Sequence, residues 1–197
     1  DNLLNTDPSW GGGIFCANSM PDIINVKIIN NQALGVGGGI SIQAASPTPL
    51  LSLNNVLIAD NNREGIYIDS NWGLELINVT ITGNGYRGIS ANGLQNSELV
   101  IVNNIIWNNV EEEVHLYHPT SNVNVSYSNI QGGLEGEGNI DADPLFADTA
   151  NGDYSLQATS PAIDAGDPDL DGDGTTWVTD SDDQDPDGTR LDMGAYY

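Results

Sequence analysis

Apolar positions along this chain come in short alternating runs, each cut off by Asn or Gly. Ile77, Val79 and Ile81 form one such run. A two-residue period predicts strands with one buried face, and no segment carries a useful helical period. The runs themselves repeat. Asn followed by Val or Ile recurs at Asn25-Val26, Asn55-Val56, Asn78-Val79, Asn104-Ile105 and Asn129-Ile130, in steps of 30, 23, 26 and 25 residues. A bulky residue follows three places after the first four of these, at Ile28, Ile58, Ile81 and Trp107. Another Asn follows six places on, at Asn31, Asn61 and Asn84, with Asn109 one place early. Gly-Ile pairs close the units at Gly13-Ile14, Gly39-Ile40, Gly65-Ile66 and Gly88-Ile89, in steps of 26, 26 and 23 residues.

Two registers sharing one mean period near 25 residues point to a stacked repeat. A leucine-rich repeat would need a regular leucine ladder, which the chain lacks, and a propeller blade is longer, at ~40 residues. Three short strands per unit, each coil ~4.8 Å from the next, match a parallel β-helix. The expected fold is therefore an all-β solenoid of about five coils of roughly 25 residues over 1–131, followed by a capping module over 132–197. Stacking would place Ile28, Ile58 and Ile81 in one interior column. The Asn residues would adopt left-handed turns and bond to one another from coil to coil, and each Gly would sit at a corner too tight for a Cβ.

Composition sharpens this picture. Apolar residues make up 39% of the 197, low for a compact globule but fitting for a solenoid with polar turns, which 23 glycines also serve. The single cysteine, Cys16, excludes an intramolecular disulfide and reads as a small buried hydrophobe. No apolar run reaches the ~20 residues of a membrane span. Asp1 to Asn5 has neither the basic start nor the apolar stretch of a signal peptide, so the chain is expected to be soluble, as a mature product or an internal fragment. With 28 acidic residues against 4 basic ones, the net charge is −24, a field that repels nucleic acid and anionic membranes.

The acids are concentrated. Seventeen of the 28 fall between Glu135 and Tyr197, where Arg190 is the only base. Within that segment Asp169, Asp171, Asp173, Gly174 and Asp180 spell D-x-D-x-D-G-x5-D, the spacing of a twelve-residue calcium loop with Asp in its last place. Asp169, Asp171 and Asp173 would turn alternate carboxylates to one Ca2+, Thr175 would offer its carbonyl, and Asp180 would close the shell. Asp183, Asp185 and Asp187 repeat the start of the motif, with Asp192 two places short of the twelfth position and Asp182 or Asp167 as substitutes. Hard oxygen ligands favour Ca2+ over Zn2+ or Cu2+. The ion is expected to order residues 167–192 onto the last coil.

The repeats resemble those of right-handed parallel β-helix proteins of the bacterial secreted and surface type, within the pectate-lyase-like superfold. The second half carries the more distinctive resemblance, to the terminal module of such proteins. It lies in Asn139-Ile140-Asp141-Ala142-Asp143-Pro144-Leu145-Phe146, Gly152-Asp153-Tyr154-Ser155-Leu156, Ser160-Pro161-Ala162-Ile163-Asp164-Ala165-Gly166 and Asp187-Gly188-Thr189-Arg190-Leu191-Asp192-Met193-Gly194-Ala195-Tyr196. The resemblance implies a right-handed winding and an extracellular or cell-surface location.

Enzymes of that superfold act on acidic glycans with calcium and a basic residue, so Lys27, Arg63, Arg87 and Arg190 are the available bases. Arg63 and Arg87 precede the Gly-Ile corner in consecutive coils, and Trp72, Tyr86 and Trp107 would stack on sugars. Pairing of these arginines with Asp60 or Glu64 is the more ordinary expectation. A hydrolase would need two carboxylates on one face, for which Asp60, Glu64, Asp69 and Glu75 are candidates. Glu111, Glu112 and Glu113 with His115 and His118 outline a possible metal cluster. Asn78-Val79-Thr80 and Asn124-Val125-Ser126 have the form of glycosylation sites. None of these converges on a recognisable catalytic spacing. The expected function is a calcium-stabilised structural, adhesive or glycan-binding solenoid, with a polysaccharide lyase or glycoside hydrolase as the alternative. The pattern opens in mid-coil at Trp10-Gly11-Gly12-Gly13-Ile14, so self-association into filaments through solenoid ends is also expected.

Overall fold

The computed structural model describes residues 10–19, 21–44, 51–70, 73–92, 98–118 and 122–195. The first coil holds β1 (Ile14–Ala17) and β2 (Ile23–Ile29), the second β3 (Ile40–Ala44) and β4 (Leu51–Ala59), and the third β5 (Ile66–Ser70) and β6 (Leu74–Thr82). The fourth adds β7 (Ile89–Ala91), β8 (Glu98–Val102) and β9 (Ile105–Trp107), and the fifth β10 (Val114–Leu116), β11 (Asn122–Ser126) and β12 (Asn129–Ile130). One sheet stacks β1, β3, β5, β7 and β10 in that order, and a second stacks β2, β4, β6, β8 and β11, extended by β9 and β12 beside β6. All these pairings are parallel. The architecture is the expected all-β solenoid, making four turns between the first and fifth strands of the first sheet.

Register follows the repeats. Ile14, Ile40, Ile66, Ile89 and Val114 lie one above another on the inner side of the first sheet. Ile28, Ile58, Ile81, Ile106 and Ile130 do the same in the second. Both columns join one continuous core that also takes in Cys16, whose thiol is pushed up by burial. At each corner the glycine leaves no room for a side chain. A Cβ on Gly65 would fall 2.7 Å from Ile81 Cγ2 and 2.8 Å from the Gly88 carbonyl oxygen.

The fourth repeat is shifted by one residue from the expected alignment. Asn25, Asn55, Asn78 and Asn103 share a left-handed backbone, with φ between 53° and 58°, so Asn103 is the true counterpart and not Asn104. Ile106 accordingly takes the interior position expected for Trp107, which pairs with Thr82 and faces outward. With the register corrected, Asn109 falls six places after Asn103, where the ladder needs it.

That ladder is continuous. Asn31 donates through its amide N–H and its Nδ2 to Asn61 Oδ1, each at 3.0 Å. Asn61 does the same to Asn84, and Asn84 to Asn109. Each Nδ2 of the last three also donates to a strand carbonyl, of Ile28, Ile58 and Ile81 respectively. The ladder ends on Glu113, which replaces the corner glycine of the fifth coil and accepts from the Asn109 backbone at 3.2 Å and from its side-chain amide.

The remaining segment closes the second sheet and then folds back along its outer flank. Ile140 extends the stack by bridging to Asn129. A hairpin of β13 (Phe146–Asp148) and β14 (Asp153–Leu156) follows. Phe146 and Tyr154 pack on Leu57 and Ala59 of β4, and Ala162 and Met193 pack on Ile105 of β9. The sequence places these apolar residues on the solvent face of their strands. They are buried because the chain returns over them.

Candidate metal centre

The Asp-rich segment is held against the solenoid at a few polar points. The Asp167 amide donates to Asn103 Oδ1 at 2.5 Å, the Gly194 amide to the Asn103 carbonyl at 2.6 Å, and the Ala195 amide to Thr80 Oγ1 at 2.9 Å. The Arg190 guanidinium lies 5.5 Å from the centre of the Tyr127 ring. Left-handed turns at Gly172, Gly174 and Gly188 let the loops reverse between their acids.

Local hydrogen bonds pre-shape these loops. Asp171 accepts from the Asp173 amide, Asp173 from the Thr175 amide at 2.7 Å, and both Asp169 oxygens from the Gly174 amide. Thr175 is thus tied into the loop through its N–H. The carboxylates then fall into three groups among the described residues, each with ligand atoms within 4.8 Å of one another. Asp169 and Asp171 meet Asp183; Asp171 and Asp173 meet Asp180; Asp185 and Asp192 meet Asp164.

The partition differs from the one expected from spacing. Asp169 and Asp180 do not share a group, so the twelve-residue loop does not close on itself. Asp183, expected in the second loop, joins the first, and Asp171 belongs to two groups. Asp187 stands apart because Thr189 donates to it from both its amide and its hydroxyl, which holds its carboxyl below the usual range. Asp182 and Asp167 also stand outside the groups, each amide or carboxylate being engaged in a neighbouring turn. Asp164 is not among the residues expected from spacing, although it lies in the terminal-module motif 160–166 and joins the third group.

Asp183 is the decisive residue. It has 0% solvent exposure. One oxygen accepts from the Leu170 amide at 2.7 Å, while Oδ2 is buried without a hydrogen-bond partner. Burial, followed by the charges of Asp171, Asp180 and Asp169, pushes its carboxyl above the usual range. Burial also raises Asp192 and Asp167, and it lifts Asp185 to about 6. A buried carboxylate with an orphaned oxygen facing two further carboxylates fits a hard divalent cation, which would supply the missing partner and offset the like charges.

The other candidates disperse. Arg87 is paired with Glu111 at 3.2 Å and Glu112 at 3.4 Å rather than with Asp60 or Glu64, and its guanidinium covers the rings of Tyr86 and Tyr117. Arg63 is exposed and reaches the Leu34 carbonyl. Glu112 also contacts His115, and Glu113 is spent on the ladder, so these groups do not gather into a metal site. Asp60 accepts from the Tyr154 hydroxyl, Glu64 from the Gly37 amide, Asp69 from Asn92 and Glu75 from Ser52. Each carboxylate thus has its own partner. Trp107 is covered by the returning segment, and Trp72 lies outside the described residues. Asn78 and Thr80 are buried, which removes the first glycosylation sequence from solvent.

Comparison with protein families matches residues 12–138 to the right-handed beta helix region, which is more than half of the chain. The chain belongs to the right-handed β-helix family. The match fixes the hand of the winding and covers all five coils, together with the start of the segment that closes them. No curated protein and no solved structure matches this β-helix.

Proposed function

We propose that this β-helix is an extracellular or cell-surface module, structural, adhesive or glycan-binding, whose C-terminal segment is locked onto the coils by Ca2+. The observation that carries the reading is the orphaned, fully buried Oδ2 of Asp183 beside Asp169 and Asp171. Asp173, Asp180, Asp185 and Asp192, joined by Asp164, supply further acidic groups, and Asp187 and the Thr175 carbonyl lie within the same loops. Open loops of this kind suit the ~10⁻⁴–10⁻³ M affinity range of extracellular calcium modules. That affinity is consistent with a location where calcium is abundant.

Stacking into filaments is part of the same proposal. Among the described residues the strand β10 has one sheet neighbour, β7, and beside it lies a groove of about 580 Å3 lined by Asn109 to Val114 and Ile130 to Leu134. An open strand edge is a surface on which another chain can add.

Calcium titration by calorimetry, with thermal unfolding in calcium and in chelator, tests the central claim. At a calcium concentration a hundredfold above Kd the stabilisation is expected to be about 2.7 kcal/mol. Absence of heat together with an unchanged transition would sink it.

A further inference from the structure

We propose that the outer face of the first sheet is a binding track for an extended, uncharged β-linked polysaccharide. It deepens the glycan-binding branch of the function above and does not depend on calcium. The outward residues of successive rungs are Phe15, Ser41, Tyr67, Ser90 and His115, aligned by strand register. Ring-bearing and small residues therefore alternate up the face. Two rungs span ~9.5 Å, so the rings recur at about that interval. That distance is close to one disaccharide of an extended β-1,4-linked chain, in which every second sugar presents the same face.

The rings are placed to be touched. Phe15 is 43% exposed and Tyr117, beside His115, is 47% exposed. Trp10 bridges the first interval, stacked 6.4 Å from Phe15 and tilted at 6.1 Å from Tyr67. Ser41 and Ser90, on the rungs between, are fully buried, so the rings and not the serines form the surface of this face. The apolar C–H face of a pyranose lies against such rings, and polar groups alongside fix the hydroxyls. Those groups are present one column over. Gln43 and Asp69 are consecutive rungs there, and Asn92 donates to Asp69 at 3.4 Å.

Charge selects among glycans. The protein carries a net −24, and Arg87, at the corner beside Ser90, is already paired with Glu111 and Glu112. A polyuronate would meet the repulsion of that net charge, whereas a neutral hexose chain would not.

Calorimetry with cellohexaose, in parallel with maltohexaose and a galacturonate hexamer, tests the proposal in both calcium and chelator. Binding of cellohexaose alone is expected, weakened about fivefold by Phe15→Ala and again by Tyr67→Ala, the order of one lost ring contact. Tyr67→Phe should bind as the parent does, and Val178→Ala, an exposed apolar residue of the C-terminal segment, should have no effect. Unfolding curves of each variant separate lost binding from lost fold. No heat with cellohexaose, equal binding of maltohexaose, or indifference to both ring deletions would overturn it. Calcium-independent binding would support the track even if the metal reading failed.

Discussion

The Ala195 amide donates to the Thr80 hydroxyl at 2.9 Å, across 115 residues of sequence. One end of this contact is the closing stretch of the Asp-rich segment, and the other is a β6 side chain on the outer flank of the third coil. The segment is thereby a strap along the coils as well as a cover for their end. Thr80→Val keeps the shape and removes the acceptor, leaving a partly buried amide without a partner. A loss of about 1 kcal/mol is expected. Limited proteolysis should show faster cutting within residues 167–195 while the coils stay protected.

Asp183 separates metal binding from simple charge relief. Asp183→Asn keeps the acceptor for Leu170 and removes the buried charge. In chelator this variant should be at least as stable as the parent, because the like charges of Asp169, Asp171 and Asp180 are relieved. In calcium it should lose most of the parent's thermal shift. Melting both proteins in both buffers checks the crossing. Equal calcium shifts in the two proteins would exclude Asp183 as a ligand.

The Asn ladder predicts a contrast between two asparagines of one coil. Asn61→Ala removes the acceptor of two Asn31 donors and leaves the Ile28 carbonyl without its side-chain donor, all buried. A cost of about 3 kcal/mol is expected from these unmet groups. Asn55→Gly should cost far less, since its bond to Asn25 is exposed and glycine accepts the left-handed φ of 53°. Denaturant midpoints of the two variants measure the difference.

Glu113 makes the end of the ladder sensitive to pH. Burial pushes its carboxyl above the ordinary 4.5, outweighing the lowering effect of the bonds from Asn109 and Asn108. The folded chain therefore holds this proton to higher pH than the unfolded chain does. Its stabilising contribution is complete below the unfolded value and is lost as pH rises through the folded one. Glu113→Gln, which retains an acceptor for Asn109, should flatten that decline when unfolding is followed from about pH 4 to about pH 7. A parallel decline in both proteins would assign it to other groups.

Much of the β-helix was legible because stacked coils put like residues on top of one another. The Gly-Ile corners predicted the first sheet's register correctly, since a glycine there answers a steric demand that recurs wherever another coil stacks on the corner. The fourth repeat was misread for a local reason. Asn103 and Asn104 stand side by side, and each meets part of the pattern: Asn104 precedes Ile105, while Asn103 has Asn109 six places on; only Asn103 adopts the left-handed turn, and the Asn104 side chain accepts from the Val79 amide. The aromatic column is illegible along the chain for a similar reason, since Phe15 and Tyr67 lie 52 residues apart and meet only through register.

The acidic segment divides differently. Its spacing of carboxylates and turn-forming glycines carries the expectation of a hard cation. Which acids share a site was set by the tertiary structure. Asp183 leaves its sequence neighbours for Asp169 and Asp171, and Asp164 joins Asp185 and Asp192. These choices follow from the path of the strap across the coils, fixed at Thr80, Asn103 and Tyr127. Local spacing determines what a loop can bind, while docking on a distant surface decides which loops face each other.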